Sequence, residues 1–292
     1  MSDKKKNTKA LPVIAQGELD LGILQASIIS KKPSDPAVRS EALSILHSSL
    51  FTAANTKTPR KSFDGELIPV IPNAEYSIRY TGIELRVIDD EDVWMNIIYY
   101  AQKQKIHDHD FTIEVRTSEF LRTMNWGTSG PDYDKLRKSL RRLKSASLEI
   151  SNDKNDGYGL PSLIRKYFVG RKGEGSKLNI VLEPDIYKLY SETNTKTLDF
   201  KIRQSLSILD KKAYSLIVIG KLGKIHLSDL MLLMGVHYKE LRQFKAKLKQ
   251  SLEILISHKT QLKDYSFDKE NFAYFSYTGD DIENPSLIES QK

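Results

Sequence analysis

Three blocks of residues occur twice in this 292-residue chain, in the same order each time. Asp90, Val93, Trp94, Ile97 and Ile98 align with Asp210, Ala213, Tyr214, Ile217 and Val218 at an offset of 120. Ser118, Glu119, Phe120, Leu121 and Met124 align with Ser228, Asp229, Leu230, Met231 and Met234 at 110. Tyr133, Leu136, Arg137, Leu143 and Lys144 align with Tyr238, Leu241, Arg242, Leu248 and Lys249 at 105. The offset holds within a block and changes only between blocks, as expected when a duplicated unit takes its insertions in loops. Apolar residues three and four apart mark each block as one face of a helix. The chain is therefore expected to contain a duplicated three-helix unit.

Segments of strand character follow the third helix in both halves. Ser147–Ile150, Leu160–Val169 and Lys177–Leu182 are the candidates in the first. Gln261–Phe267 and Phe272–Tyr277, with a turn at Asp268–Asn271, form a candidate hairpin in the second. The last two helices of each unit form a helix-turn-helix, and strands packed behind it make a winged helix. The expected architecture is α+β: residues 1–64 largely flexible with one short helix within Ala37–Phe51, a winged helix over 65–190, a second over 197–279, and a tail at 280–292. Ser191–Lys196 is the expected linker.

The third helices carry the chemistry. In Asp132–Lys144 the stripe Tyr133, Leu136, Leu140 and Leu143 faces inward, leaving Lys135, Arg137, Lys138, Arg141, Arg142 and Lys144 outside. In the second copy Tyr238, Leu241, Phe244, Leu248 and Leu252 face inward, and Lys239, Arg242, Lys245, Lys247 and Lys249 lie outside. A solvated helix face usually mixes signs through pairs that support the helix. Here one sign dominates twice at equivalent positions, which points to DNA: arginine can fork onto a guanine edge, and lysine neutralises phosphate. Arg171 and Lys172 sit in a Gly-rich loop, either a wing gripping the backbone or a plain turn.

Composition narrows the alternatives. Lys and Arg number 45 against 38 Asp and Glu, a formal charge of +7, mild enough that placement rather than total must carry the argument. With no cysteine there is no thiolate metal site, disulfide or thiol catalysis. No apolar run is long enough to span a bilayer. His107 and His109 alternate but have no further ligand cluster beside them. Gly170, Gly173 and Gly175 lack the lysine and helix of a phosphate loop. Asp89–Asp92 reads as negative charge at a helix start. No enzyme, cofactor or metal is expected.

The stretch Tyr80–Trp94, continuing to Ala101, resembles the first-helix signature of TrfA-type plasmid replication initiators. Tyr133–Ile150 and Leu160–Phe168 share that resemblance, which extends over about residues 68–277. It implies tandem winged helices that bind directly repeated origin sites, or iterons, as double-stranded DNA. It also implies melting of neighbouring A+T-rich DNA, recruitment of the host helicase and a monomer–dimer equilibrium, in a bacterial cytoplasm and from a plasmid or mobile element. In family terms Arg137, Lys138, Arg141, Arg242, Lys245 and Lys249 carry origin contact. Gln16, Leu19 and Leu21 resemble a sliding-clamp-binding peptide, with Gly22 where an aromatic ending is usual; a chance match is the alternative. A winged-helix transcriptional repressor is the other reading of the whole chain.

Overall fold

The computed structural model describes residues 35–104, 111–152, 157–170, 176–190 and 195–279. Helices and strands are mixed, in agreement with the α+β class. The first half contains β1 (Val38–Ala42), α1 (Leu43–Leu46), β2 (Phe51–Thr52), β3 (Ser62–Ile68), β4 (Tyr76–Ile83) and β5 (Leu85–Arg86). A π-helical turn, Val87–Glu91, runs into α2 (Asp92–Gln104). Then come β6 (Thr112–Arg116), α3 (Thr117–Thr123), α4 (Gly130–Lys144), β7 (Ser147–Asn152), β8 (Gly157–Leu160), β9 (Ile164–Val169) and β10 (Lys177–Leu182). The second half contains β11 (Thr195–Asp199), α5 (Phe200–Ser205), α6 (Ile208–Ala213) with a π-helical continuation Tyr214–Ile219, and β12 (Lys224–His226). It ends with α7 (Leu227–Met234), α8 (Leu241–Ser257), β13 (Leu262–Phe267) and β14 (Phe272–Tyr277).

The same order of elements occurs twice. One run is α2, β6, α3, α4, β9, β10, with sheet order β6-β10-β9. The other is α6, β12, α7, α8, β13, β14, with sheet order β12-β14-β13. In both, the strand before the second helix pairs antiparallel with the last strand, which pairs antiparallel with its hairpin partner. Burial follows the repeat. Val93, Trp94, Ile97 and Ile98 are buried, as are their counterparts Ala213, Tyr214, Ile217 and Val218. The third helices match in a different register from the one the sequence suggests. Leu136, Ser139, Leu140 and Leu143 bury as Leu248, Ser251, Leu252 and Leu255 do, each pair 112 residues apart rather than 105. The reason is local: Tyr133 lies inside α4, whereas Tyr238 precedes α8.

Two expectations need correction. Residues 35–64 do not lie loose. They form β1, α1, β2 and the start of β3, with Ile45, Leu46, Leu50 and Phe51 buried. The expected linker is partly strand, since β11 pairs with β1 from Val38↔Asp199 to Ala42↔Thr195. The four-stranded sheet β3-β4-β7-β8 is an addition to the first unit with no counterpart in the second among the described residues. Residues 1–34, His107, His109, Arg171 and Lys172 lie outside the described residues.

Two hydrophobic cores form, one centred on each repeat, with Leu46 and Met95 of the first half entering the second, and a polar seam runs between them. Arg203 of α5 is fully buried and reaches back to the first half. Its Nε donates to Asp92 at 2.8 Å and its Nη2 to Glu91 at 2.5 Å, while Nη1 donates to Ser215 Oγ at 2.6 Å. Lys211 completes Asp92 at 2.5 Å. Arg39 of β1 stacks between Tyr99 and Phe200, 4.1 and 4.4 Å from their ring centroids. Tyr190 donates to Glu41 at 2.8 Å and accepts from Trp94 Nε1 at 2.8 Å.

The seam also sets a pH response. Burial, reinforced by the nearby Glu91 carboxylate, pushes Glu41 up to about 8. Burial holds Lys212 down to about 8. A carboxyl raised on folding contributes stability that is complete below its ordinary value of 4.5 and lost as pH rises through about 8. A lysine depressed on folding contributes stability that is complete above 10.5 and lost as pH falls through about 8. These two groups together place their least favourable pH near 8. Glu41→Gln should therefore flatten the decline in thermal midpoint between pH 5 and 8. A variant with the wild-type pH profile would show that Glu41 is not the group responsible.

Candidate nucleic-acid interface

Helix α4 begins with a capping box, in which Ser129 and Asp132 satisfy each other's backbone and side-chain groups. These Ser129 hydrogen bonds lower the Asp132 pKa. Tyr133, Leu136, Leu140 and Leu143 are buried, as the stripe requires. Of the six basic residues on the remaining surface, Lys138, Arg141 and Lys144 are exposed. These three are spaced three apart and share one side of the helix.

The other three are held within the chain. Lys135 pairs with Asp89 at 3.0 Å and lies over the Trp126 ring, 3.8 Å from its centroid. Arg137 pairs with Asp134 at 3.0 Å and donates to the Gly170 carbonyl at 3.3 Å. Arg142 donates from Nε and Nη2 to Asp90 Oδ1 at 2.9 and 2.7 Å. Asp90 is fully buried, and it also accepts from Ser139 Oγ at 2.9 Å, Arg60 at 2.8 Å and the Arg86 backbone N–H at 2.9 Å. A buried carboxylate demands such partners, because burial without them is costly. Asp89–Asp92 is thus far more than a charged helix start.

Helix α8 is built differently. It starts at Leu241, three residues later than the sequence suggests, so Lys239 sits in the preceding turn. Phe244, Leu248, Ser251, Leu252 and Leu255 face the core. Arg242 is 89% exposed, with only a 3.7 Å approach to Glu240, itself 58% exposed. Such a surface pair is worth little. Lys239, Lys247 and Lys249 are exposed. Lys245 is half-buried, with its ammonium 4.9 Å from the centroid of Phe267 on the hairpin. Sequence spacing gives no sign of Trp126 and Phe267 as the aromatic shelves under Lys135 and Lys245; Phe267 lies in another element, where helical periodicity carries no signal.

Cationic character on α8 therefore faces outward, whereas half of that on α4 is paired within the chain, Arg142 with a fully buried carboxylate. Among the described residues no cluster of His, Asp or Glu could hold a metal, and no helix is long and apolar enough to cross a membrane. The α4 pairing has a measurable consequence. Arg142→Ala leaves the buried Asp90 with Arg60 as its only charged partner, and should cost about 3 kcal/mol of folding stability. Denaturant unfolding reads that loss. If stability is unchanged while DNA affinity falls, Arg142 is a DNA contact after all.

Residues 3–254 match the family described as TrfA protein. The chain is 27% identical over 169 residues to the plasmid replication initiator protein TrfA of Escherichia coli, a match that covers 58% of this chain and 43% of that protein. The aligned region thus spans less than half of that relative's length. Among solved structures, the crystal structure of domains 2 and 3 of RctB matches with a TM-score of 0.52 at 14% identity, over 80% of this chain and 98% of that one. That likeness concerns the fold alone. With the family match running over 252 of the chain's 292 residues, the chain belongs to the TrfA family.

Proposed function

We propose that this protein is a plasmid replication initiator that binds directly repeated origin DNA through two winged helices in tandem, without enzymatic catalysis. The observation that carries the reading is the basic outer face of α8, with Arg242 exposed in its first turn, in a unit whose element order repeats that of α4. Three helices, a strand paired with the last strand and a closing hairpin are the parts of a winged helix, and its third helix is the one that enters a major groove. The likeness to a relative named as a plasmid replication initiator supports the same reading.

In this scheme Arg242 is the leading candidate to read a base, with Lys249 and Lys245 beside it. Lys239 lies at the helix entrance, positioned for phosphate. On α4, Lys138, Arg141 and Lys144 are the residues free to meet DNA. Lys135, Arg137 and Arg142 act chiefly by holding α4 in place. Arg171 and Lys172, between β9 and β10 in the sequence, are candidates for a wing contact. Two different readers in one chain suit an asymmetric site, and direct repeats of such a site load one monomer each. Origin melting, recruitment of the host helicase, a clamp contact through Gln16–Leu21, a monomer–dimer balance and a cytoplasmic location complete the proposal.

The decisive test is a plasmid whose only replicon is this gene with its neighbouring direct repeats. It should be maintained in the native host, and failure to replicate there defeats the initiator reading. At the level of the site, Arg242→Ala should weaken binding to the repeat by about 1–3 kcal/mol while leaving unrelated duplex DNA little affected. Equal weakening on both would reassign Arg242 to phosphate. Footprinting should show two adjacent major-groove contacts per monomer; a single contact would refute the tandem arrangement.

A further inference from the structure

Between β2 and β3 the chain makes an exposed loop, residues 53–61, that bridges the two repeats. At one end the Ala53 N–H donates to the Met234 carbonyl at 2.7 Å. Beside it Gly235, at φ 64°, lies so close to Thr52 that a Cβ there would collide with the threonine side chain. The loop is thus pressed onto the turn that leads into α8. At the other end Arg60 pairs at 2.8 Å with Asp90, the carboxylate that also holds Arg142 of α4. One loop therefore touches the entrance of one basic helix and shares a buried carboxylate with the other.

This loop is fixed from below by a buried arginine. Arg86, 3% exposed, donates to the carbonyls of Asn55, Thr58 and Pro59 at 2.8, 3.0 and 3.2 Å, and is charge-balanced by buried Glu84 at 2.7 Å. Asn55 closes the turn above, accepting from the Lys57 N–H at 2.9 Å and from Thr58 Oγ1 at 2.6 Å. Burying a guanidinium and a carboxylate is a weak way to stabilise a core. Here the pair shapes a loop whose outer residues, Lys57 and Lys61, are exposed. Among the described residues neither lysine has a carboxylate partner.

We propose that this loop is a third DNA-contacting element, in which Lys57 and Lys61 grip the phosphodiester backbone of duplex DNA between the two helices. The inference rests on the reading of α4 and α8 as DNA-binding helices. Recognition helices present their N-terminal residues to the bases, so the turn before α8 lies close to the duplex and carries the loop with it. Contacts of this kind hold register and carry no sequence information. Loop and Arg86 together set how the DNA passes from one helix to the other.

The test uses the full chain, a duplex carrying the direct repeats and an unrelated duplex of equal length. Lys57→Ala/Lys61→Ala should lower the slope of log affinity against log salt by about 1.8, close to 0.9 for each phosphate no longer neutralised. Both duplexes should weaken alike, with the thermal midpoint unchanged, and Lys57→Arg/Lys61→Arg should restore the slope. An unchanged slope, or weakening confined to the repeat duplex, overturns the proposed grip on phosphate. If Arg242→Ala still weakens repeat binding in that case, the function proposed above survives. If the wild-type chain binds neither duplex, both readings fall.

Discussion

Three consecutive buried carboxylates, Asp90, Glu91 and Asp92, hold the rest of the molecule in position. They sit where a π-helical turn becomes α2. Successive residues on a helix point roughly 100° apart, so the three fan out in different directions. Asp90 collects Arg60 and Arg142, Glu91 collects Arg203, and Asp92 collects Arg203 and Lys211. Through these pairs one turn of helix ties α4, the loop before β3, α5 and α6 to a single point. Each carboxylate is buried enough that losing a cationic partner is costly. Hence charge pairing at the seam fixes the arrangement of the two repeats, together with apolar contacts across it such as Met95 of α2 in the second core and Ile208 of α6 against the first.

What the sequence can and cannot reveal follows from range. The apolar faces of α2, α3, α4 and α8 are legible because their spacing is local, and their burial agrees with it. The repeat is legible for the same reason. Which cations are free is not. Local rules see the Asp134–Arg137 pair, three residues apart, but not Asp90 for Arg142 or Asp89 for Lys135, each more than forty residues earlier. Residues 35–64 read as flexible because they are polar and broken by proline. Their order comes from strand partners elsewhere in the chain, β11 for β1, β5 for β2 and β4 for β3, and pairing of that kind leaves little local trace. The register slip in the third helix has a similar origin: Tyr133 and Tyr238 look equivalent, but only Tyr133 is inside its helix.

The two repeats have diverged in how their surface charge is spent. On α4, three of six basic side chains are taken up by carboxylates of the chain itself, a carbonyl and a tryptophan ring. On α8 the arginine of the first turn is almost fully exposed. The first repeat also carries an extra four-stranded sheet and the strands of the N-terminal segment, while its third helix packs against α2, the π-helical turn and β9. Bracing and exposure are in competition, because a side chain committed to Asp90 is unavailable to anything outside.

The pairing of β1 with β11 bears on the order in which the chain can be completed during its synthesis. Val38 finds Asp199, 161 residues later in the sequence. At about 5–20 residues per second, a ribosome needs on the order of 8–30 s to deliver that partner. Throughout that interval β1 has no strand beside it, and Arg39 has Tyr99 but lacks Phe200. The first repeat can assemble its own core while it waits, because both strands of its closing hairpin and all its helices precede β11. Closure of the N-terminal strand is thus a late event, timed by emergence of the second repeat rather than by completion of the first.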